Sequence, residues 1–403
     1  MPFSAKKIRL PSDSLSLKLI FQRRFLIGFV ANSDKLITFA IVSNYMSVKK
    51  ILFRAVIAII AVSFLSCSTE LDINGNKKEV MIVYGILDAS TSTQYIKINR
   101  AFLGEGNALE YAQIPDSTLY PYLLNVTLDV VNSNGQSVLS APLVADTVNI
   151  WKDGGLFFSG YQTYYRFDFK NYDTLSFTTY SHDTIWLKAD YRYKLTIKDP
   201  VTENVYESEA PGISSFVLDK PSPSVTTISF STEGTRNVEF NSVANGKLYE
   251  VKYLFHYFEV YDSNPGDTIE KVNEWTLGST TSVATNGGEN LNIPYSNWDF
   301  FYLLGQRLEA RDDVTRFPGY VYISCTVGAE DLNTYIDVNQ PSNSIIQERP
   351  SFSNITNGIG LFSSKFIYTK SFRLHDNTVE LLKTGQYTSD LNFESYWPNF
   401  PLH

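Results

Sequence analysis

Apolar and polar residues alternate over many short runs of this 403-residue chain, the period-two signature of strands with one wet face. Over residues 94–102, Ile96 and Ile98 oppose Lys97 and Asn99. Tyr165, Phe167 and Phe169 oppose Arg166, Asp168 and Lys170 over residues 161–170. Residues 191–198 repeat the pattern, with Tyr191, Tyr193, Leu195 and Ile197 on one side. In 125–131 the inward set is Val126, Leu128 and Val130, and 80–87 is apolar on both faces, as for a buried strand. Asn134-Gly135 is a hairpin signal, and Asp199-Pro200 turns the chain before a return over 204–209. These strands predict an antiparallel β-sandwich over 79–212.

Pro211-Gly212 closes that unit, and the run Pro221-Ser222-Pro223-Ser224 reads as a stiff linker over 213–225. A second β-rich domain is expected over 226–403. Strands are predicted near 226–231 and 236–241. Its longest strand, 247–261, aligns Tyr249, Val251, Tyr253, Phe255 and Tyr257 on one face. A strand at 320–327 carries Val321, Ile323, Cys325 and Val327 inward. Trp298, Phe301, Leu304 and Leu308 recur at helical spacing, so a helix is expected over 296–309 with Ser296 as its cap. A second short helix fits 330–338, with acids in its first turn. In 347–366, Asn357-Gly358 and Gly360 predict a tight turn that returns Ile359, Leu361 and Phe362 to the core; one more strand and a Trp397-Pro398 tail are expected beyond. The fold expected is mostly β: two β-sandwich-like domains of immunoglobulin or fibronectin type, the second with one or two short helices.

Residues 104–121 form a long connection with few strand signals. Connections of that length inside a compact domain are often functional. Tyr120, Pro121 and Tyr122 close it, and we take Tyr120 and Tyr122 as candidate partner-binding residues.

The N-terminal pattern differs in kind. Lys49, Lys50 and Arg54 precede an uncharged apolar run over 55–65, which ends at Leu65-Ser66-Cys67. Eleven residues match a signal-peptide core, whereas a membrane-spanning helix needs about 20. The stretch resembles a bacterial lipoprotein signal over 46–66. That resemblance implies lipidation of Cys67, which becomes the mature N-terminus; Phe64 stands where Leu is more usual. The other readings are an ordinary signal peptide cut nearby and a short buried helix. Glu70 and Asp72 follow closely, similar to the acidic export signal of surface lipoproteins in Bacteroidetes-type bacteria. Met46 opens a signal of normal length, so residues 1–45 are expected to be a start-site misassignment or a long leader. The polar stretch 67–78 then acts as a tether.

Charge sharpens this picture. Residues 1–66 hold ten Lys/Arg and two Asp/Glu, net +8; the whole chain is −8, which leaves −16 on the 337 residues from Cys67 onward. Nucleic-acid binding needs a basic footprint and is excluded. With Cys67 lipidated only Cys325 remains, so no intrachain disulfide forms and packing carries stability.

Little chemistry is legible. His256 lies on the outer face of 247–261 and reads as a packed strand histidine, with no other ligand at metal spacing. Cys325 reads as a buried, inert thiol. Arg311-Asp312-Asp313 reads as a solvating loop. The run Asp72 to Asn76 lacks the Glu a calcium loop requires. No GxSxG elbow, HExxH, phosphate loop or Cys/His constellation occurs. No cofactor is expected.

Three stretches together carry a resemblance: the acidic lipoprotein start, VMIVYGILD followed by YIKINRAF, and SNITNGIGLF. The chain resembles the family called domain of unknown function 4249 over about 67–370. The last motif matches at Ser353, Asn354, Ile355, Asn357, Gly358, Gly360 and Phe362, while 104–121 departs from the pattern. The resemblance implies a surface lipoprotein associated with an outer-membrane TonB-dependent transporter, and it transfers no catalytic residue. The expected function is therefore a non-enzymatic outer-membrane lipoprotein that binds a glycan or peptide ligand or packs on such a transporter. A structural or adhesive module is one alternative. A carboxylate-dependent surface hydrolase is another, because two acids can converge without a local signature.

Overall fold

Inward apolar positions mark most of the long strands of the protein. The computed structural model describes residues 80–101, 107–178, 184–340 and 351–397. These lie within one compact unit, Asn74–His403. Strands β1 (Val80–Asp88) and β2 (Thr93–Ala101) open it, followed by the short helices α1 (Ala108–Ala112) and α2 (Pro115–Thr118). Then come β3 (Asn125–Val131), β4 (Leu143–Val144), β5 (Asp146–Lys152) and β6 (Gly160–Asp168). A small pair, β7 (Phe177–Thr178) and β8 (Thr184–Ile185), precedes β9 (Arg192–Lys198) and β10 (Val205–Pro211). The second half adds β11 (Leu218–Lys220), β12 (Thr227–Ile228), β13 (Thr235–Asn241), β14 (Leu248–Tyr261), β15 (Asn264–Thr281) and β16 (Asn290–Ser296). It ends with α3 (Asp299–Arg307), β17 (Val314–Gly328), α4 (Glu330–Asn339), β18 (Ile359–Leu374) and α5 (Asp376–Thr384).

The protein is mostly β, as its alternation predicts. One nine-stranded sheet runs β15-β14-β17-β18-β1-β2-β6-β5, with β12 added beside β18. Smaller sheets cover its inner face, β10-β9-β3-β4 over the first half and β11-β13-β16 over the second. Each half is thus sandwich-like. In the first, the Phe169 and Tyr193 rings stack at 6.3 Å, and the Leu124 N–H donates to the Tyr165 hydroxyl at 2.9 Å. In the second, Phe230 stacks on Phe300 at 4.4 Å, and Tyr253 donates to Tyr295 at 3.3 Å.

The sequence predicts two domains parted at 213–225. The structure instead carries one sheet and one continuous core across that segment. The reason is the parallel pairing of β1 with β18, Ile82 to Asp88 against Ile359 to Lys365. Two of the three resemblance stretches are therefore partners. Gly85 lies opposite Phe362; a β-carbon there would sit 2.5 Å from Ile96 and 2.9 Å from the Phe362 ring. Asn354 accepts from the Phe362 N–H at 2.9 Å and donates to the Phe362 carbonyl and Asp331 at 2.7 and 2.9 Å. Asn357 (φ 64°) donates to the Val205 carbonyl, and Ser208 reaches the Asn354 carbonyl. The SNITNGIGLF motif is a seam between sheets. Its Ile359 is 45% exposed rather than core, while Leu361 and Phe362 are buried.

Helices differ from expectation. Ser296 ends β16, and α3 begins at Asp299 behind Trp298, with no side-chain cap. Phe300, Phe301 and Leu304 are its buried face, while Trp298 is partly exposed. Among the described residues three helices follow residue 226, since α5 occupies part of the tail expected to be strand. The 104–121 connection holds α1, capped by Asn107, and α2, with Pro115 at its first turn. The long edge strand β15 was invisible in the pattern: only Trp275 among its residues is buried, so no alternation marks it. Asn134-Gly135 does turn the chain, with Asn132 accepting from the Asn134 and Gln136 N–H groups.

Candidate functional site

Helix α2 is stapled to the end of β2. Asn99 donates to the Thr118 carbonyl at 3.0 Å, and the Arg100 guanidinium bonds the Asp116 carbonyl. This positions Tyr120 and Tyr122, whose rings meet edge to face at 5.8 Å. Arg100 lies over Tyr120 at 5.9 Å. Both tyrosines are half-buried and pack on the core, while Pro121 and Leu123 point to solvent. Together with Ile98, Thr163 and Tyr165 they line a cleft of about 210 Å³. The two candidate residues thus share one site.

Tyr122 also ties the cleft to the second sheet, donating to Asp199 Oδ2 at 3.2 Å. Burial pushes the Asp199 carboxyl up. Hydrogen bonds from the Val201 and Thr202 backbone, the Thr202 side chain and Tyr122 outweigh that and hold it below its usual value. A depressed folded pKa stabilises the protein above the unfolded value, about 3.9 for Asp, and that contribution fades as pH falls through the folded value. Urea midpoints should therefore drop on acidification below about pH 4. In Asp199→Asn that drop should be shallower; an identical acid limb would refute the assignment.

A second cleft, about 250 Å³, lies where the halves meet, lined by Arg192, Asn245, Lys247, Glu330 and Asp331 among others. Its polar groups are held by partners within the cleft and just outside it. Lys247 pairs with Glu330 at 3.4 Å, Arg192 with Glu209, and Asp331 with Asn354. Asn245 (φ 64°) donates to the Ala189 and Gly212 carbonyls at 3.0 and 2.7 Å. Ligand-enclosing pockets run to about 300–1,000 Å³, so both clefts suit surface recognition better than enclosure of a small molecule.

The remaining candidates fall where their surroundings put them. His256 Nδ1 lies 2.6 Å from Glu270 on the neighbouring strand, its ring against Tyr322. Cys325 is fully buried, and burial pushes its thiol far up, with Glu250 adding to the effect. Arg311 and Asp313 form an exposed two-bond pair at 2.9 and 2.7 Å, which holds Asp313 low and Arg311 high. Cys67 lies outside the described residues. Among the described residues no group of three or more His, Cys, Asp or Glu is placed to hold a metal. No helix among them is long and apolar enough to cross a membrane.

Sequence reasoning missed the β5–β6 hairpin tip. Its run Leu156-Phe157-Phe158 between glycines was the available signal. The tip leans on the α1–α2 segment: the Phe158 N–H donates to Ala112 at 2.8 Å, and Gln113 donates to Gly155 and Leu156 at 3.0 and 2.6 Å. Trp151 and Tyr161, paired across the strands, meet at 5.2 Å.

No family model and no curated protein matches the chain. Among solved structures it is similar to the C-terminal globular domain of an oligosaccharyltransferase from Pyrococcus abyssi. That likeness has a TM-score of 0.21 and 10% identity, and it spans 59% of this chain and 45% of that one. A likeness at that level carries no argument about function.

Proposed function

We propose that the chain is a non-enzymatic, lipid-anchored surface protein of the outer membrane. In this reading it recognises a partner through the Tyr120–Tyr122 cleft and the exposed residues around it. The observation that carries it is the cleft's construction. Two tyrosines of the α2–β3 connection and an arginine at the end of β2, residue types enriched at binding hot spots, pack together beside exposed Leu123 and Pro121. The resemblance to the domain of unknown function 4249 family makes an outer-membrane TonB-dependent transporter the partner to test. A peptide or glycan ligand is the partner if none is found. Anchoring at Cys67 would keep the cleft near any such barrel.

The test is a native pull-down from detergent-solubilised outer membranes. A stoichiometric barrel is expected, and Leu123→Ala, which removes an exposed side chain, should weaken its capture about tenfold. Recovery of the protein alone would favour the structural or adhesive reading. Turnover of a polysaccharide or peptide that a single carboxylate substitution abolishes would overturn the non-enzymatic one. Cys67→Ser should move the protein out of the membrane fraction; sedimentation that persists after high-salt washing would defeat the lipid anchor.

A further inference from the structure

The strand registers place three features at one end of the large sheet. Val80, where the chain enters the sheet, lies opposite Ala101. Strand β2 runs antiparallel to β6, with Thr93 opposite Asp168 and Lys97 opposite Tyr164, so β6 begins at the Ala101 end. Strand β5 ends there too, Lys152 opposite Gly160. The β5–β6 hairpin tip therefore projects from the same end of the sheet at which the chain enters it.

That tip is strongly apolar. Trp151, Leu156, Phe157 and Tyr161 expose 57, 69, 58 and 67% of their surface. Leu109 and Ile114, at 59 and 45%, extend the patch from the adjoining helical segment. Its shape is fixed from within. Lys152 bonds backbone carbonyls of the tip, and the Trp151 indole N–H donates to Asp153 at 3.1 Å. Gly160 (φ 139°) lies so close to the Phe158 ring that a β-carbon would sit 2.7 Å from it.

We infer that this hairpin tip inserts its Trp151, Leu156, Phe157 and Tyr161 side chains into the interfacial layer of the lipid bilayer that carries the anchor. The inference rests on the lipid-anchored reading. Twelve residues, 68–79, lie between Cys67 and Val80, a reach of at most about 45 Å, so a lipid on Cys67 holds the tip's end of the sheet within that distance of the membrane. Trp and Tyr settle at the headgroup level, where one edge of the ring is apolar and the other wet. The chain from Cys67 onward carries −16, so an anionic bilayer repels it as a whole. The contact is therefore apolar, and added salt should not dissolve it.

The test separates this inference from the anchor. The chain from Ser68 onward contains the whole compact unit and its core. Given an N-terminal hexahistidine tag, it can be held on phosphatidylcholine vesicles containing a nickel-chelating lipid, whatever becomes of Cys67 in the cell. Phosphatidylcholine brominated along its acyl chains should then quench tryptophan fluorescence, equally at low and high salt. Trp151→Phe should abolish that quenching. Leu156→Ser/Phe157→Ser keeps the reporter and should abolish it as well. Tethered protein that is not quenched, or a double variant quenched like the parent, would overturn the inference and leave the patch to a protein or glycan. Failure of lipidation at Cys67, read by mass spectrometry, would instead sink the anchor reading.

Discussion

Arg316→Met is expected to cost the protein about 3–5 kcal/mol, because it strands a buried carboxylate. Arg316 and Glu259 face each other across β17 and β14 with side chains 3 and 7% exposed, 3.0 Å apart. Arg316 also donates to the Leu391 and Glu309 carbonyls at 2.8 and 3.1 Å, and Tyr261 donates to Glu259 at 2.9 Å. The backbone repeats the link: the Arg316 N–H donates to Asn392, and the Glu394 N–H donates to Arg316. One guanidinium thus fastens the C-terminal segment to β14 and β17. Removing it alone leaves Glu259 buried with only the Tyr261 hydroxyl as a partner. Removing both charges, as in Arg316→Met/Glu259→Met, should recover part of the loss, since paired buried ions are often no better than apolar packing. Urea unfolding of the parent, the single variant and the double variant measures this directly. A double variant less stable than the single would show that the two carbonyl contacts, not the stranded charge, dominate.

Gly360→Ala should be comparably severe, roughly 2–6 kcal/mol from backbone strain and overpacking together. Its φ is 122°, and a β-carbon would lie 1.9 Å from the Val83 carbonyl oxygen. Val83 is its register partner in β1, so the sheet must open at its middle to admit a methyl group. Gly135 is the control. Its φ is 74° with nothing within 4 Å of a β-carbon, so Gly135→Ala carries only the left-handed backbone cost, about 1–2 kcal/mol. Equal shifts in urea midpoint for the two variants would mean the seam at Gly360 is softer than its geometry implies.

The strands of the first half were legible because one face is core and the other water. Tyr165 and Phe167 are buried where Arg166 and Asp168 are not, and the alternation survives in the letters. What joins the halves was not legible, because pairing between β1 and β18 leaves no trace in either run alone. The proline-serine stretch reads as a linker locally, yet Leu218 and Ile228 on either side of it belong to one core. Strand β15 hid for the opposite reason: it is an edge ribbon whose order comes from hydrogen bonding to β14 rather than from burial. Tyr120 and Tyr122 are conspicuous in the sequence because aromatic residues closing a polar connection stand out. Arg316 is not, since an arginine in a strand reads as wet until its partner across the sheet is known.

The seam between β1 and β18 also dictates when this protein can fold. Ser90 accepts from the Ile367 N–H and donates to its carbonyl across a separation of 277 residues. Contacts so distant along a chain close slowly, because the intervening loop entropy must be overcome first. Strand β1 pairs with β2 early, but its other edge waits for β18, Ile359–Leu374, before it is covered. The sheet that joins the two halves is therefore completed late in synthesis. Chains truncated before Ile359 would keep β1 as a bare edge, and such fragments should be recovered as aggregates rather than as a folded first half.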